Sequence, residues 1–460
     1  MISFDTDFPD VTAQWRKNVQ RLGDKPCVHE LSSNSIHTWN DMGNLVQQLR
    51  VQLRAHGLGR GCRLALLTDA SAHWIAMVWA CWEEGVCWSP FPSSVPLERC
   101  KQQLEFGAFH AQWDGQRFSV LNPTAELSTG AYLIFTSGTT GTPKGVMGSW
   151  WGLTDLWRNQ TEIFSLNENS TSVWMLSPSF DASISDVGVA LWAGACLVVV
   201  PQKHWLRHKR WKEDMERLNV THLDAPPSLL ARWENKPLPR CLQVVIAGGE
   251  PTPPSLLKAW SHHVRWVNVY GPTETTVCSS AEVRAVARLE EGAPTLGTPF
   301  SHVFYKVVHP TDDDSAEGEL WIGGNCVAQG YWRNPSLTAE KFVYADNCWW
   351  FKSGDWVRRT ADNWEYCGRL DRQIKRNGQL INLDEIEHTL SQCPGYGQVV
   401  VVLKNSVLWG VYCASISSDC LQSYAQTRLP AWGVPRFVRQ DQWPLTPHNK
   451  IDRAAVENML

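Results

Sequence analysis

Hydrophobic and polar residues alternate with two different periods along the first two thirds of the chain. Residues 39–56 place apolar side chains at helical spacing among polar ones, which predicts an amphipathic helix. Short apolar runs with the character of β-strands then alternate with helical stretches. These predicted strands are residues 63–68, 131–135, 173–176, 242–246 and 264–270. The alternation indicates α/β layers with largely parallel sheets.

The pattern changes at Gly318, after which the apolar runs become shorter and are bounded by turn residues. The runs at 319–324, 349–352 and 364–366 predict strands of a distorted antiparallel β-barrel. A polar, charged segment, residues 368–373, ends this region.

The residues after this charged segment carry strand and helix signals of their own, including the apolar run 399–403. We therefore predict two domains. The first, residues 1–370, is a large multilobed α/β domain that contains the parallel sheets with their helices and the β-barrel. The second, residues 371–460, is a small α+β domain.

Charge excludes some classes of partner. Of the 460 residues, 19% are charged and the net charge is -4, so no basic surface for nucleic acid is predicted. Small-molecule chemistry is therefore favoured over nucleic-acid binding.

The chain also lacks the signals of secretion and of membranes. Its 14 cysteines include no CxxC pair, as expected for reduced thiols in a cytosolic protein. Residues 1–7 contain acids and no apolar segment, so no signal peptide is expected. The most apolar run, 187–200, is too short to cross a bilayer and fits a buried helix that leads into a strand. We predict a cytoplasmic protein without membrane contact.

The segment Ile134–Gly145 joins an apolar strand to a loop rich in glycine and hydroxyl side chains. Glycines let backbone N–H groups turn toward an anion, which predicts a polyphosphate site, although a simple flexible loop fits the same composition. The spacing is not that of a Walker A loop. The candidate phosphate-binding residues are Thr136, Ser137, Gly138, Thr139, Thr140, Gly141 and Lys144.

This loop is the first of five segments that occur in the order of a known signature set. The others are Asn268–Thr276, Gly354–Asp355, Gly368–Asp371 and Asn449–Arg453. Together they span almost the whole chain, which resembles the adenylate-forming superfamily of acyl-CoA synthetases, luciferases and nonribosomal peptide synthetase adenylation domains. A further segment, Phe180–Ser183, most resembles the amino-acid-activating adenylation domains, in particular the free-standing ones.

The resemblance implies a ligase that works in two steps. A carboxylate first attacks the α-phosphate of Mg-ATP to give an acyl-adenylate and pyrophosphate. The phosphopantetheine thiol of a peptidyl carrier protein then takes the acyl group as a thioester. The implied cofactors are ATP, Mg²⁺ and the phosphopantetheine of the carrier.

The resemblance also assigns catalytic residues. Thr273 would donate to the α-phosphate, and Glu274 would give a carboxylate oxygen to Mg²⁺. Lys450 would bridge the substrate carboxylate and the α-phosphate, although a lone lysine in a terminal loop is most often a surface charge. Asp371 corresponds to the hinge of a mobile C-terminal lid, which would bring Lys375 to the site for thioester formation.

Nucleotide contacts are carried over in the same way. Asn268 would contact adenine, and Tyr270, followed by Gly271, would stack on the purine. Asp355 would bind the ribose hydroxyls, although an aspartate at such a position is otherwise a turn residue. The residues expected near the ribose are Tyr366 and Arg369.

Asp181 matches the aspartate that pairs with the α-ammonium of an amino acid; a helix N-cap is the alternative interpretation. The rest of the implied pocket is Ala182, Ser185, Asp224, Val245, Ala247, Val269, Val277 and Cys278, closed by Lys450. A buried Asp224 must be neutralised by a raised pKa or meet a donor from the substrate. A basic side chain or a phenol would both satisfy it, and the cost of desolvation favours the basic class slightly.

Some positions depart from the family pattern. Leu380 and Asn382 stand where an arginine and an acid are usual, near the approach of the carrier, which puts the thiolation step in question. Asn449 replaces a glycine beside Lys450. The chain ends seven residues after Arg453, so a carrier acting in trans and a monomer are expected. An acyl-CoA or aryl-acid ligase and a weakened nucleotide-binding scaffold are the alternative functions.

Overall fold

The structure is a computed structural model that describes residues 9–136, 143–201, 208–234, 236–286, 294–309, 311, 315–361, 363–376, 379–393, 398–413, 416–444 and 451–460. Its α-helices in these ranges are α1 Ala13–Leu22, α2 Trp39–Ala55, α3 Ala72–Glu84, α4 Leu97–Gly107, α5 Trp150–Phe164, α6 Ala182–Ala193, α7 His208–Arg217, α8 Pro227–Leu230, α9 Pro254–Ser261, α10 Pro335–Lys341, α11 Leu383–Ser391, α12 Ser418–Arg428 and α13 Arg453–Asn458.

The strands are β1 Pro26–Glu30, β2 Ser35–Thr38, β3 Arg63–Leu66, β4 Cys87–Pro90, β5 Ala111–Trp113, β6 Phe118–Val120, β7 Tyr132–Thr136, β8 Lys144–Gly148, β9 Thr171–Trp174, β10 Cys196–Val199, β11 His222–Asp224, β12 Val244–Ala247, β13 Arg265–Tyr270, β14 Ser280–Arg284, β15 Thr298–Pro299, β16 Val303–Val308, β17 Glu317–Gly324, β18 Phe342–Ala345, β19 Cys348–Arg359, β20 Trp364–Arg369, β21 Gln373–Arg376, β22 Gln379–Asn382, β23 Gln398–Lys404, β24 Val407–Cys413 and β25 Arg436–Arg439. The strand positions expected from the hydrophobic runs are confirmed to within a few residues.

Two mixed sheets dominate the large part of the chain. The first has nine strands in the order β15-β14-β13-β12-β11-β9-β10-β1-β2, and the second has six in the order β6-β5-β3-β4-β7-β8. Their central pairs are parallel and their outer pairs antiparallel. The carboxyl ends of β9, β11, β12 and β13 therefore share one edge of the large sheet, where open α/β sheets bind ligands. The predicted α/β layers are confirmed.

Local sequence signals explain several helix boundaries. The hydroxyl of Thr38 accepts a hydrogen bond from the backbone N–H of Asp41, and the Asp41 carboxylate accepts one in return, so a capping box starts α2. The Ser71 hydroxyl caps α3 by accepting a hydrogen bond from the backbone N–H of Trp74, and Gly85 ends that helix with a φ of 69°. In the described part of the chain, no helix is long and apolar enough to cross a membrane.

Tryptophans that are scattered in the sequence come together in space. Nine of them form a continuous series of ring contacts from β9 of the nine-stranded sheet to β4 of the six-stranded sheet, with centroid separations between 5.0 and 6.2 Å. The rings lie at offset or edge-on angles that aromatic pairs favour. The members of this tryptophan network are Trp15, Trp39, Trp74, Trp79, Trp82, Trp88, Trp157, Trp174 and Trp192. The network is the centre of the core that joins the two sheets.

The third layer is a five-stranded antiparallel sheet, in agreement with the predicted antiparallel region. Its long strand β19 pairs with β18 over its first residues and with β20 over its last, while β17 runs along both parts. Gly354 has a φ of 73° within β19, and a side chain there would lie 2.9 Å from the Arg369 guanidinium. Glycine is therefore required beside Asp355.

Residues from Ile374 onward build cores of their own. One apolar cluster packs α11 and α12 on the sheet of β23, β24 and β25, and a smaller one covers the other face with α13. These clusters fit the predicted small α+β domain, and the exact boundary at residues 370 and 371 stays a prediction. This part contacts the large one where α12 packs on α4 and where Arg99 pairs with Glu385 at 3.0 Å.

Candidate active site

A cleft of about 310 Å³ opens where the carboxyl ends of the parallel strands face β19 and the C-terminal part. Most of the predicted site residues that the structure describes line this cleft. They are Thr136, Asp181, Ala182, Ser185, Asp224, Val269, Gly271, Thr273, Val277, Cys278, Asp355, Arg369 and Lys375. A second cavity of about 500 Å³ adjoins it and shares Val269 and Lys375. Its lining adds Asn268, Tyr270 and Tyr366.

Some predicted residues lie elsewhere. Val245 and Ala247 are fully buried in the apolar core of the nine-stranded sheet and do not line the cleft. Lys450 lies outside the described residues, as do Ser137, Gly138, Thr139, Thr140 and Gly141 of the predicted phosphate loop.

An ion pair marks the phosphate end of the cleft. Lys144 Nζ lies 2.8 Å from Glu274 Oε1, and the hydroxyl of Tyr331 donates to the same oxygen at 2.7 Å. The ammonium also sits 4.4 Å from the centre of the Tyr331 ring. Burial alone would raise the pKa of Glu274, but the charge of Lys144 and these hydrogen bonds outweigh it and lower that pKa. Glu274 is therefore a buried, ionised carboxylate.

Tyr331 was not anticipated from the sequence, because it belongs to none of the five signature segments. It follows Gly330, whose φ of 112° only glycine adopts readily, at the turn before α10. This turn places the phenol ring of Tyr331 against the ammonium of Lys144.

A second charged cluster lies where the ribose is expected. Asp355 is 1% exposed and accepts hydrogen bonds from Arg369 Nη1 at 2.8 Å and from the Tyr270 hydroxyl. Arg369 also donates twice to Asp371, at 2.7 and 3.0 Å. Burial would lower the pKa of Arg369, but its bonds and charges with the two aspartates raise it. The predicted hinge residue Asp371 is thus tied to the predicted ribose site.

Asn268 is bound within the protein by both ends of its amide. Its Nδ2 donates to the Thr295 carbonyl at 3.0 Å, and its Oδ1 accepts from the Thr252 hydroxyl at 3.1 Å. The amide retains one N–H for a base. These bonds fix its orientation in the wall of the second cavity.

Lys375 reaches the cleft from β21 of the C-terminal part. Its Nζ lies 5.0 Å from the centre of the Tyr270 ring, a cation–π contact. Burial lowers the pKa of Lys375, and the carboxylate of Asp355 opposes this only in part. The structure therefore presents Lys375 to the site.

Leu380 and Asn382, two of the departures from the family pattern, lie on β22, the strand that pairs with the strand of Lys375. Leu380 pairs with Lys375 across the β21–β22 hairpin. The Asn382 side chain accepts hydrogen bonds from the backbone N–H groups of Asp384 at 2.8 Å and Glu385 at 3.3 Å. Asn382 is thus the N-cap of α11, a structural reason for asparagine at this position.

Asp181 occupies the N-cap position immediately before α6, but its side chain makes no capping hydrogen bond. It lines the cleft, where burial raises its pKa to about 6 despite a hydrogen bond with Thr273. The helix-cap interpretation therefore lacks its defining bond. The next inward-facing polar residue, Ser185, donates to Gln160 Oε1 at 2.9 Å.

The loop after Thr273 packs unusually tightly against the substrate end. Thr276 and Val277 have φ values of 54° and 67°, which β-branched residues rarely adopt. The Thr276 hydroxyl holds the loop by donating to the Cys326 carbonyl at 2.7 Å. A side chain at Gly271 would lie 2.6 Å from the Val277 carbonyl oxygen. Gly271 is therefore needed for this close approach.

Asp224 lines the cleft at the end of β11, and a residue missed from the sequence lies behind it. Asp186 of α6 is 3% exposed, and its carboxyl group interacts with that of Asp224, which raises the pKa of Asp186 beyond the effect of burial. The helical repeat held the signal for Asp186, because it follows Ala182 by four residues on the same face.

The fold and this site define a nucleotide-dependent, adenylate-forming enzyme. The profile of the family described as "AMP-binding enzyme" matches residues 15–111 and 108–332. The chain belongs to this family, which confirms the resemblance to the adenylate-forming superfamily.

Individual relatives agree with this assignment. The chain is 33% identical over 367 residues to tyrocidine synthase 1 of Brevibacillus parabrevis, an alignment that covers 75% of this chain and 33% of the relative. It is 30% identical over 461 residues to bacitracin synthase 3 of Bacillus licheniformis, covering 91% of this chain and 7% of the relative. The chain thus spans a third or less of the length of these two curated relatives.

One solved structure matches the entire fold. It is the Vibrio cholerae adenylation domain AlmE in complex with glycyl-adenosine-5'-phosphate. The TM-score is 0.83 at 20% identity, with 100% of this chain and 99% of that chain covered. This likeness confirms the fold class, a large α/β part followed by a smaller C-terminal part.

Proposed function

We propose that the chain activates an amino acid as aminoacyl-AMP and transfers it as a thioester to the phosphopantetheine of a separate peptidyl carrier protein. The observation that carries the amino-acid assignment is Asp181, a partly buried carboxyl group in the cleft wall without a capping bond. An α-ammonium is the group that such a carboxylate would bind. Membership of the AMP-binding family supports the adenylation step.

In the first step, negative charge gathers on the α-phosphate and on the departing pyrophosphate. Lys144 and the loop before it would hold the outer phosphates, and Thr273 would donate to the α-phosphate. Lys144 pairs with Glu274, so a polyphosphate that binds Lys144 would compete with this carboxylate.

The residues present fit Mg²⁺ that arrives with ATP. Among the described residues there is no cluster of three or more potential metal ligands, but Glu274 offers one ionised carboxylate at the phosphate end. Mg²⁺ commonly binds through one or two carboxylates together with substrate phosphates. When bound, it supplies positive charge to the phosphate oxygens. Glu274 would hold it in place and remain ionised throughout.

The nucleotide would be oriented by the second cluster and the second cavity. Asp355 would accept the ribose hydroxyls while Arg369 and Tyr270 hold its two oxygens in place. The ring of Tyr270 would stack on the purine, and Asn268 would contact its edge.

For the second step, Lys375 is a cation close to the predicted ribose site, with its Nζ 5.0 Å from the Tyr270 ring. We propose that the arrangement seen here corresponds to thioester formation, with Lys375 balancing the negative charge of the leaving AMP. Lys450 would take this place during adenylation, after a swing of the C-terminal part about Asp371. We further propose a basic or phenolic substrate side chain, a monomer, and a cytoplasmic location.

Amino-acid-dependent ATP–pyrophosphate exchange tests this function. The panel contains all common amino acids plus ornithine, with an aryl acid and a fatty acid as controls. Strong exchange with one basic or phenolic amino acid is expected. Exchange with the acid controls alone would replace the proposal by an acyl-CoA or aryl-acid ligase, and silence throughout would favour a nucleotide-binding scaffold. Lys450→Ala should abolish exchange and leave ATP binding intact.

A further inference from the structure

Asp186 and Asp224 form a pair of carboxyl groups that the family resemblance did not assign. Asp224 lines the cleft, whereas Asp186 is buried behind it on the first turns of α6. Neither forms an ion pair with a Lys, Arg or His of the described residues, so the pair has no positive partner there.

The contact between the two groups requires a proton. Two ionised carboxylates have no hydrogen to share and repel each other, so a hydrogen bond between them needs one group in its acid form. Asp186 Oδ2 is fully buried and receives no hydrogen bond from a protein donor in the part of the chain that the structure describes. A proton held between the two carboxyl groups satisfies both conditions.

The environment of each group shows which one holds the proton. Burial raises the pKa of both, and Asp186, away from the cleft, is raised furthest. The hydrogen bond between them raises the pKa of Asp186 further and lowers that of Asp224, which settles at about 7. Asp186 is also buried more deeply than the partly exposed Asp224, so ionising Asp186 costs more free energy. We therefore take Asp186 as the donor and Asp224, which faces the cleft, as the acceptor.

Few other titratable groups interact with the pair. Asp181 lies at the start of the same helix, and Cys278 on the opposing loop interacts with all three aspartates, which raise its thiol pKa together with burial. Ser185 is held by Gln160 of α5. Lys375 is a cation in the same cleft that interacts with Asp181 and Cys278, but it forms no ion pair with Asp186 or Asp224.

We propose that Asp186 is a specificity-determining positioning residue, whose carboxylic O–H holds the Asp224 carboxylate toward the cleft to bind the cationic end of a basic amino-acid side chain. This rests on the proposed function, in which Asp181 takes the α-ammonium. The pair then keeps one further negative charge. A neutral side chain would leave that charge buried and unpaired, whereas an ammonium or guanidinium would neutralise it.

Two variants of different chemistry test the donor role. Asp186→Leu removes the donor and keeps an apolar side chain of similar size, whereas Asp186→Asn keeps an N–H that can donate to Asp224. We expect Asp186→Leu to raise KM for ornithine, lysine or arginine by about tenfold or more with kcat changed far less, the effect of one charged hydrogen bond. Asp186→Asn should restore most of this loss.

The pH profile separates positioning from packing. Loss of the bond from Asp186 raises the pKa of Asp224. In Asp186→Leu, the pH at which KM for the basic amino acid improves should therefore move upward from about 7. A packing defect would change KM without moving this midpoint. Thermal unfolding identifies a variant that fails to fold. In that case Asp224→Asn, which removes the charge of the acceptor, tests the pair instead.

The outcomes distinguish this inference from the proposed function. If the wild-type protein activates a phenolic or apolar amino acid in preference to a basic one, or if Asp186→Leu leaves KM unchanged, the inference is overturned and the proposed function stands. If exchange occurs only with the aryl or fatty acid, the proposed function fails first. Rescue by Asp186→Asn together with a basic preference supports both.

Discussion

The two ends of the cleft accommodate carboxyl groups in different ways. At the nucleotide end, each carboxylate has a cation of the protein beside it: Glu274 pairs with Lys144, and Asp355 pairs with Arg369. At the amino-acid end, Asp181, Asp186 and Asp224 form no ion pair with a cation of the described residues. They are held with raised pKa values instead.

The difference indicates what each ligand must bring. ATP, which is an anion, enters an end where Lys144 and Arg369 are already engaged, so binding exchanges one negative partner for another. An amino acid would enter an end where Lys375 interacts with Asp181 but no cation of the described residues forms an ion pair with any of the three aspartates. In the proposed function its α-ammonium would pair with Asp181, and the Asp186–Asp224 pair would leave a place for a second cation.

The largest expected effect is at Glu274. Glu274→Gln keeps the shape but removes the charge that would hold Mg²⁺ and position Lys144, so kcat for pyrophosphate exchange should fall about 10²- to 10³-fold. The measurement is exchange at saturating ATP and amino acid. Glu340→Gln, at an exposed position of α10, is the control and should be unaffected. Full activity of Glu274→Gln would mean that this carboxylate only neutralises Lys144.

The next effect is at Asp355. Asp355→Asn replaces a buried carboxylate that would bind two ribose hydroxyls, and we expect KM for ATP to rise about 30- to 100-fold. KM for the amino acid should stay within about twofold, since that end of the cleft is unchanged. Measuring the exchange rate as a function of ATP concentration and then of amino-acid concentration gives the two KM values separately. A similar rise in KM for ATP and for the amino acid would show that the two ends of the cleft are coupled and do not act separately.

A smaller, graded effect is expected from pH at the amino-acid end. The pKa of Asp224 is raised to about 7, so it is largely protonated below that pH and largely ionised above it. Only the ionised form attracts a cation. KM for a basic amino acid should therefore fall as pH rises from 6 to 8, by up to about tenfold per unit below the pKa. A KM that is flat over this range would contradict a cationic side chain on Asp224.

The smallest effect concerns the contact that joins the two parts. Arg99 and Glu385 are both mostly buried and pair at 3.0 Å in the arrangement that brings Lys375 to the cleft. Arg99→Ala or Glu385→Ala should slow thioester transfer by about fivefold or less, as for an ion pair worth up to about 1 kcal/mol. Adenylation should not change. A double-mutant cycle of Arg99 and Glu385, measured for adenylation and for thioester transfer, checks this. An equal loss of rate in the two steps would show that the ion pair does not favour the arrangement that brings Lys375 to the cleft.

Much of the fold followed from the sequence, because it depends on local patterns. The strand runs of the large sheets have the right positions, and the apolar run 187–200 is a buried helix that leads into a strand, as expected. The clustering of the tryptophans was not foreseen, because it depends on which helices cross between the sheets. Sequence spacing carries no information on that.

At the site, residue types could be predicted from the sequence, whereas the partners of these residues could not. A raised pKa for Asp224 was expected from burial alone, but Asp186 was missed because its role depends on how α6 is rotated against β11. Tyr331 was missed for a similar reason, since a turn far along the chain brings it to Lys144. Val245 and Ala247 were assigned to the pocket by resemblance, yet strand alternation turns both toward the core.

The tryptophan network has a spectroscopic consequence. Its nine indoles come from seven elements and connect a strand of one sheet to a strand of the other at centroid separations of 5.0 to 6.2 Å. Coupled chromophores at such distances give strong circular dichroism in the near ultraviolet, and this signal is lost when fixed side-chain packing is lost. The near-ultraviolet spectrum should therefore report whether the two sheets separate before the helices melt, without any added label.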